Sequence, residues 1–313
     1  SHAGLGGETD DTALAISEDL RVLDAFDPWD PEIPRLLGRG ITTCALSPGA
    51  INVVGGKISL VKLVPGKARL RVVDPAAGVK ASLTPALSLP RYPTSLSGAI
   101  RAFEGWARGE RPLSSRGKAP VLVEVPSRAA AERALAALGD AGLPVALVDP
   151  GRLTAAAWEH LRPGCTVILG PYGLGDPSSK LRAAAALRKE GAHIAFAMGA
   201  TRRDLLTTAI LAVEEGLERD DALLARTAWP AALYGAEGRL GAVAPGAEAD
   251  LVVWDGDPFS LAARVEMVFV DGKRMEIDVR GPGVSGKNDA RPEGRAGSPA
   301  DRAFSGGVDA ATP

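Results

Sequence analysis

The sequence predicts an α/β protein: a parallel sheet covered by helices, open or closed into a barrel, followed by a short β-rich unit. Two observations carry this. Short apolar runs without polar alternation recur between stretches of helical apolar period. Strands of that kind are buried on both faces, as in a parallel sheet between helices. Beyond Gly235 the texture changes to short strands joined by turn residues.

Residues 31–39 read as a short helix closed by Gly40, and ITTCALS at 41–47 as a strand rich in β-branched residues. KISLVKL at 57–63 is the next strand. A helix is predicted over 96–108, the strand PVLVEV over 120–125, and an amphipathic helix over 128–138 ended by Gly139. PVALVD at 144–149, a helix at 155–161, CTVILG at 165–170, a helix at 180–189 and HIAFAM at 193–198 continue the alternation. Helical stretches at 203–215 and 220–233 close the larger domain, 1–235. Residues 236–279 carry ADLVVW, VEMVFVDG and KRMEI, too short a unit to bury a β-sandwich alone. Residues 280–313, rich in Gly, Pro, Ser and charge without apolar period, are predicted to be disordered.

The 313 residues carry a net charge of −2, which removes the broad basic footprint of a nucleic-acid binder. No apolar run reaches the ~18 residues of a membrane span. The opening SHAGLGGETDD has neither the basic start nor the apolar stretch of a signal peptide, so the chain is expected to be soluble, with its compartment undefined. Cys44 and Cys165 each sit in an apolar run and are expected to be unpaired core thiols, since a cysteine zinc site uses closely spaced pairs.

GAVAPGAEADLVVWDGDPFSLAARVEMVFVDGKR, with Gly241, Pro245, Gly246, Ala249, Asp250, Leu251, Trp254, Gly256, Asp257 and Pro258 in place, resembles the C-terminal signature of the amidohydrolase superfamily, in its imidazolonepropionase-like branch. Segments 17–56 and 91–100 resemble earlier parts of that branch. The resemblance implies a (β/α)8 TIM-type barrel with a small β-sandwich built partly from strands after the barrel. SHAG resembles the end of the H-x-H motif of the first barrel strand, so that strand is expected to be incomplete, with His2 as the motif's second histidine.

Relatives cleave C–N bonds, such as those of cyclic amides or dipeptides, with one or two divalent metals at the C-terminal ends of barrel strands. The cation lowers the pKa of a bound water to ~7. Most of the ligands that the resemblance implies are replaced. Glu124-Val125-Pro126 stands for the fifth-strand H-A-H, Asp149-Pro150-Gly151 for E-H-G, and Ala197-Met198-Gly199 for G-T-D. His2 alone cannot hold a catalytic zinc that needs three protein ligands. His160 lies in a predicted helix, and His193 opens a strand at the end opposite a barrel's active face.

Glu124 and Asp149, with His2, form a candidate metal set suited to Mg²⁺, Mn²⁺ or Ca²⁺, or else are polar remnants of a wet strand end. Lys80 matches a lysine of relatives and is a candidate for binding an anionic substrate group, or for carboxylation as a metal bridge as in some superfamily members, or else is a solvated lysine. Asp10 and Asp11 form a weak hard-cation pair. The glycine loops at 170–180 and 51–57 lack phosphate-loop spacing, and no Ser/His/Asp or Cys/His nucleophile set can be assigned. The expected protein is therefore a relative of metal-dependent C–N hydrolases with weak or no activity, binding Zn or Mn if any site survives and no other cofactor. The alternative is a pseudoenzyme acting as a small-molecule binder or partner subunit. A small-molecule ligand and a homo-oligomer are the expected partners.

Overall fold

The computed structural model describes residues 10–66, 71–84, 91–109, 119–149, 165–198 and 205–277. Residues 1–279 form one compact unit. His2, the helix predicted at 155–161 and the tail predicted at 280–313 lie outside the described residues.

After a 3-10 turn at Val22–Ala25, helix α1 (Glu32–Gly38) buries Ile33, Leu36 and Leu37, the i, i+3, i+4 stripe of one face. Asp30 Oδ1 accepts the Glu32 N–H at 2.7 Å, and Gly40, at φ +77°, turns the chain out of the helix. Then come β1 (Thr43–Leu46), β2 (Val54–Lys62) and β3 (Arg71–Ser82), an antiparallel meander. Strands β4 (Val121–Glu124), β5 (Val145–Val148), β6 (Thr166–Leu169) and β7 (His193–Phe196) add in parallel to β3, giving one seven-stranded sheet in chain order.

The sheet is thus mixed, where an all-parallel one was expected. Residues 47–53 and 63–70 are too short for the crossover of a dozen or so residues that parallel neighbours require. β3 itself escaped the sequence pattern because Pro75 and Gly78 interrupt it. Its pairing with β2 slips between Ile58 and Leu60 and again before Val61, and the Ser59 hydroxyl donates to the Pro75 carbonyl at 2.9 Å. Among the described residues the outer edges of β1 and β7 are unpaired, so the sheet is a curled half-barrel and not a closed eight-stranded one.

Helices α2 (Leu96–Ala107) and α3 (Arg128–Asp140) begin at serine caps: Ser95 Oγ accepts from Gly98 N and Ser127 Oγ from Ala130 N. α3 runs through Gly139, the expected terminator; Gly142, at φ +66°, makes the left-handed turn instead. The helix predicted at 180–189 is two pieces, α4 (Ser178–Leu181) and α5 (Ala183–Lys189). After α6 (Leu205–Glu214), the stretch 220–233 also divides, into α7 (Arg219–Leu224) and α8 (Ala228–Leu233). Pro230 has no N–H to donate to the Arg226 carbonyl, so one continuous helix would break there.

Val123, Leu147, Val167 and Ile194 pack on one face of the sheet with Phe103, Trp106, Leu138 and Leu187 from the helices. On the other face Ile58, Leu122, Ala146, Ile168 and Ala195 are covered by Leu233 and Tyr234. A second sheet, β8 (Leu251–Trp254), β9 (Val265–Val270) and β10 (Lys273–Arg274), is antiparallel with β9 central. Its Val265, Val268 and Val270 pack with Ile33, Leu37, Ile41, Cys44 and Val61, so this short unit borrows its core from α1, β1 and β2. The approach is close: a Cβ at Gly40 would stand 3.0 Å from the Trp254 ring. Among the described residues no helix is long and apolar enough to cross a membrane.

Lys62, 1% exposed, joins the two sheets. Its ammonium bonds Asp250 Oδ1 at 2.9 Å and also meets Glu248 and Asp271. Thr43 Oγ1 reaches Asp250 Oδ2, and Arg71 Nε lies 2.8 Å from Asp271 Oδ2. Burial by itself would lower the Lys62 pKa, but hydrogen bonds to Asp271, Glu248 and Asp250 raise it above the ordinary lysine value. Burial raises the Glu248 and Asp271 carboxyls, and the bonds to Lys62 and to Arg239 or Arg71 outweigh it, leaving both below their ordinary range.

Replacing Lys62 by Met leaves three carboxylates facing one another and is expected to cost about 3–5 kcal/mol in urea unfolding. The pH dependence follows from the depressed carboxyls: their contribution is complete above their unfolded pKa of about 4 and is lost as pH falls through the lower folded values. The raised lysine acts at the other end, its contribution being complete below about pH 10.4 and lost above its folded value. The stability gap between wild type and Lys62→Met is therefore expected to narrow on acidification below about pH 4.

Candidate functional site at the sheet mouth

Because β1 and β3 both oppose β2, β1 runs in the same direction as β3–β7, and the C-terminal ends of all six lie at one end of the sheet. The loop 47–53 opens at that end, where Ser82 N donates to Val53 O at 3.0 Å. Registers Lys80↔Leu122, Ser82↔Glu124 and Glu124↔Val148 place Lys80, Ser82 and Glu124 on the face covered by Leu233 and Tyr234.

Lys80 and Glu124 meet there. Lys80 is 5% exposed, and its Nζ lies 3.2 Å from Glu124 Oε2. Thr84 Oγ1 donates to Glu124 Oε1 at 2.8 Å, and Thr84 N donates to Ser82 Oγ at 2.9 Å. Both oxygens of the carboxylate are engaged, and its charge is matched by the ammonium beside it. A cation approaching Glu124 would have to displace Lys80 or bear its repulsion.

Asp149 is separate from this pair. Its N–H bonds Ile168 O at 2.9 Å, carrying the β5–β6 ladder one bond further. Side chains alternate along that ladder, so Asp149 turns to the helix-covered face while Val148 shares the face of Glu124. Asp149 is fully buried there, and Tyr172, also fully buried, has its phenol pushed far above the ordinary range by burial and then by the charges of Asp149 and Asp176. The two acidic residues paired in the sequence reading thus occupy opposite faces. His2, the third member of that set, lies outside the described residues.

Asp10 reaches the mouth loop: a Cβ on Gly49 would fall 1.9 Å from Asp10 Oδ2, so glycine is required for this approach. Asp11 instead accepts the N–H of Ala13 at 2.8 Å. His193 opens β7 at the far end of the sheet, exposed and stacked on Trp229 with ring centroids 5.4 Å apart. His160 lies outside the described residues. Cys44 and Cys165 are free, and burial pushes both thiols up to about 11, so both are protonated at neutral pH. In the loop at 170–180, Asp176 Oδ2 accepts the N–H of Gly173 at 2.8 Å, using a donor that a phosphate would need.

Among the described residues no group of three His, Cys, Asp or Glu side chains is placed to hold a metal ion. Among the described residues the donors do not gather around a divalent metal: the Glu124 carboxylate is matched by Lys80, and Asp149 faces away. Ser82 and Thr84 were not legible in the sequence because Ser82 ends, and Thr84 follows, the strand that Pro75 and Gly78 concealed.

Residues 192–275 match the amidohydrolase family. The matched segment contains the 241–258 motif that carried the resemblance. The fold likeness is wider: the crystal structure of an amidohydrolase from Thermotoga maritima aligns with 85% of this chain and 80% of its own, at 23% identity and a TM-score of 0.72. A prolidase complexed with N-methylphosphonate-L-proline and a Xaa-Pro dipeptidase with bound methionine align with 65% and 64% of this chain and 55% of theirs, at 20% and 17% identity and TM-scores of 0.44 and 0.46. No curated protein matches the chain.

The Lys80–Glu124 pair makes a direct prediction. Lys80→Met is expected to destabilise the amidohydrolase-like fold by about 3 kcal/mol, because Glu124 keeps a largely buried charge with only a hydroxyl partner. Adding Glu124→Gln removes that charge and should recover at least about 1 kcal/mol, a coupling read from urea unfolding of the two single variants and the double variant.

Proposed function

We propose that this protein is an amidohydrolase-superfamily member of the imidazolonepropionase-like branch whose barrel mouth has given up metal-dependent C–N hydrolysis and binds a small molecule. The observation that carries this reading is the saturation of Glu124 by Lys80 and Thr84. A metal-activated water needs neutral imidazoles or free carboxylates around the cation. An ammonium in their midst opposes that arrangement.

In this reading Lys80, Ser82, Thr84 and Glu124 offer donors and acceptors at fixed positions to a polar ligand, the few oriented polar groups that a small-molecule site requires. The family match at 192–275 favours the second reading, retained hydrolysis of a cyclic amide or dipeptide.

Metal analysis and thermal unfolding of the full chain separate the two. The binding reading expects less than a tenth of an equivalent of tightly held metal, no stabilisation by Zn²⁺ or Mn²⁺, and no chelator-sensitive cleavage of amide substrates. A metal held at a hundredfold excess over its Kd would instead stabilise the protein by about 2.7 kcal/mol. One tight equivalent of metal together with chelator-sensitive turnover would establish hydrolysis.

A further inference from the structure

Outside the mouth, the sheet carries a short strand edge with open main-chain groups. Residues 15–21 run along the edge of β2 opposite β3: Val54 N donates to Ala15 O at 3.1 Å, Ser17 N to Val54 O at 2.9 Å, and Lys57 N to Leu20 O at 2.7 Å. Ile16 is thereby bridged in parallel to Val54. Because residues 15 and 17 turn their bonding groups toward β2, the N–H and carbonyl of Ile16 point the other way. Among the described residues neither of them makes a hydrogen bond.

Beside this edge lies an open groove of about 590 Å³, lined by Asp11, Leu14, Ile16, Ser17, Glu18 and Asp19. Leu14 is 59% exposed, and the Ser17 hydroxyl oxygen is buried without a hydrogen-bond partner. The groove is acidic. Asp11 Oδ1 accepts the Ala13 N–H at 2.8 Å and Glu18 Oε2 accepts the Trp106 Nε1–H at 2.6 Å, neutral donors that leave both negative charges uncompensated. Asp19 is offset by Lys57 at 3.6 Å.

An open strand edge is a template for a further strand. A second copy of this chain joining edge to edge would press two acidic grooves together, so like charge opposes that occupant. The same charges favour a strand that carries ammonium or guanidinium groups. Its main chain would complete the pair at Ile16, an apolar side chain would cover Leu14, and its cations would offset Asp11 and Glu18.

We infer that the edge at Ile16 is a docking site for an extended segment of a partner protein rich in lysine or arginine, held by strand addition. The inference is independent of what the mouth binds.

Titration of the isotope-labelled full chain with acetyl-Lys-Val-Lys-Val-Lys-amide, followed by nuclear magnetic resonance, tests it. The Ile16 and Ser17 amides are expected to shift saturably, and the Glu-Val-Glu-Val-Glu analogue to give no saturable response. Methylating the internal amide nitrogens of the lysine peptide removes its main-chain donors and is expected to weaken binding about fivefold. Asp11→Asn combined with Glu18→Gln keeps the oxygens that accept from Ala13 and Trp106 while removing both charges, and is expected to weaken binding about fivefold. If that variant does not fold, raising the salt from about 0.05 M to about 0.5 M with the wild-type chain supplies the same readout, with a loss of about the same size.

Absence of a saturable shift at Ile16, an equal response to the glutamate peptide, or an affinity indifferent to N-methylation or to removal of the two charges overturns the inference. Shifts of the same amides that follow protein concentration without peptide would assign the edge to a second copy and overturn it as well.

Discussion

The ammonium of Lys62 lies inside the protein, among Glu248, Asp250 and Asp271 from the small sheet and its flanking turns. A buried lysine is tolerated only where carboxylates and hydrogen bonds replace its water. Here they come from a segment nearly two hundred residues away in the chain. Asp271 adopts φ 51° in the β9–β10 turn and donates its N–H to Asp250 Oδ1, so the aspartates brace each other as well as the lysine. Without this junction the small sheet β8–β10 would lack the charge partner that ties it to β2.

β2 transmits the constraint to the other end of the sheet. Lys62 is its last residue, and Val54, its first, pairs with Ala81 beside Lys80 and Ser82. One strand therefore carries the docking of the small sheet at one end and one wall of the mouth at the other. Two glycines permit the crowding around the mouth wall: Gly49, against which Asp10 lies, and Gly56, at φ +124° with the Leu20 carbonyl 2.5 Å from where a Cβ would stand. The site's electrostatics are consequently local. Lys80 is matched by Glu124, and among the described residues Arg91 meets only neutral oxygens.

Most strands and helices were legible because their periods and punctuation are strong: β4 to β7, α2 and α3 lie within a few residues of the positions their apolar runs indicate. Three features were hidden. β3 carries a proline and a glycine, and its irregular pairing with β2 is made good by a serine hydroxyl that no pattern anticipates. The direction of β1 to β3 depended on connection length more than on strand composition. The division of 220–233 came from Pro230, which an apolar period does not register. At the site, the chemical types of Lys80, Glu124 and Asp149 were readable, but their grouping was not: Glu124 and Asp149 belong to neighbouring strands one register step apart, and one step reverses the face.

By itself the sequence determined which stretches would be buried strands and amphipathic helices, and the amidohydrolase-type motif at 241–258. These depend on neighbours in the chain, through period, turn chemistry and residue type. The tertiary structure alone decided that Lys62 docks the small sheet, that Lys80 spends its charge on Glu124 while Asp149 turns away, and that residues 15–21 line the edge of β2 with Ile16 left open. Each of those outcomes joins residues from separate strands or loops, and register, strand direction and burial exist only once the sheet has formed.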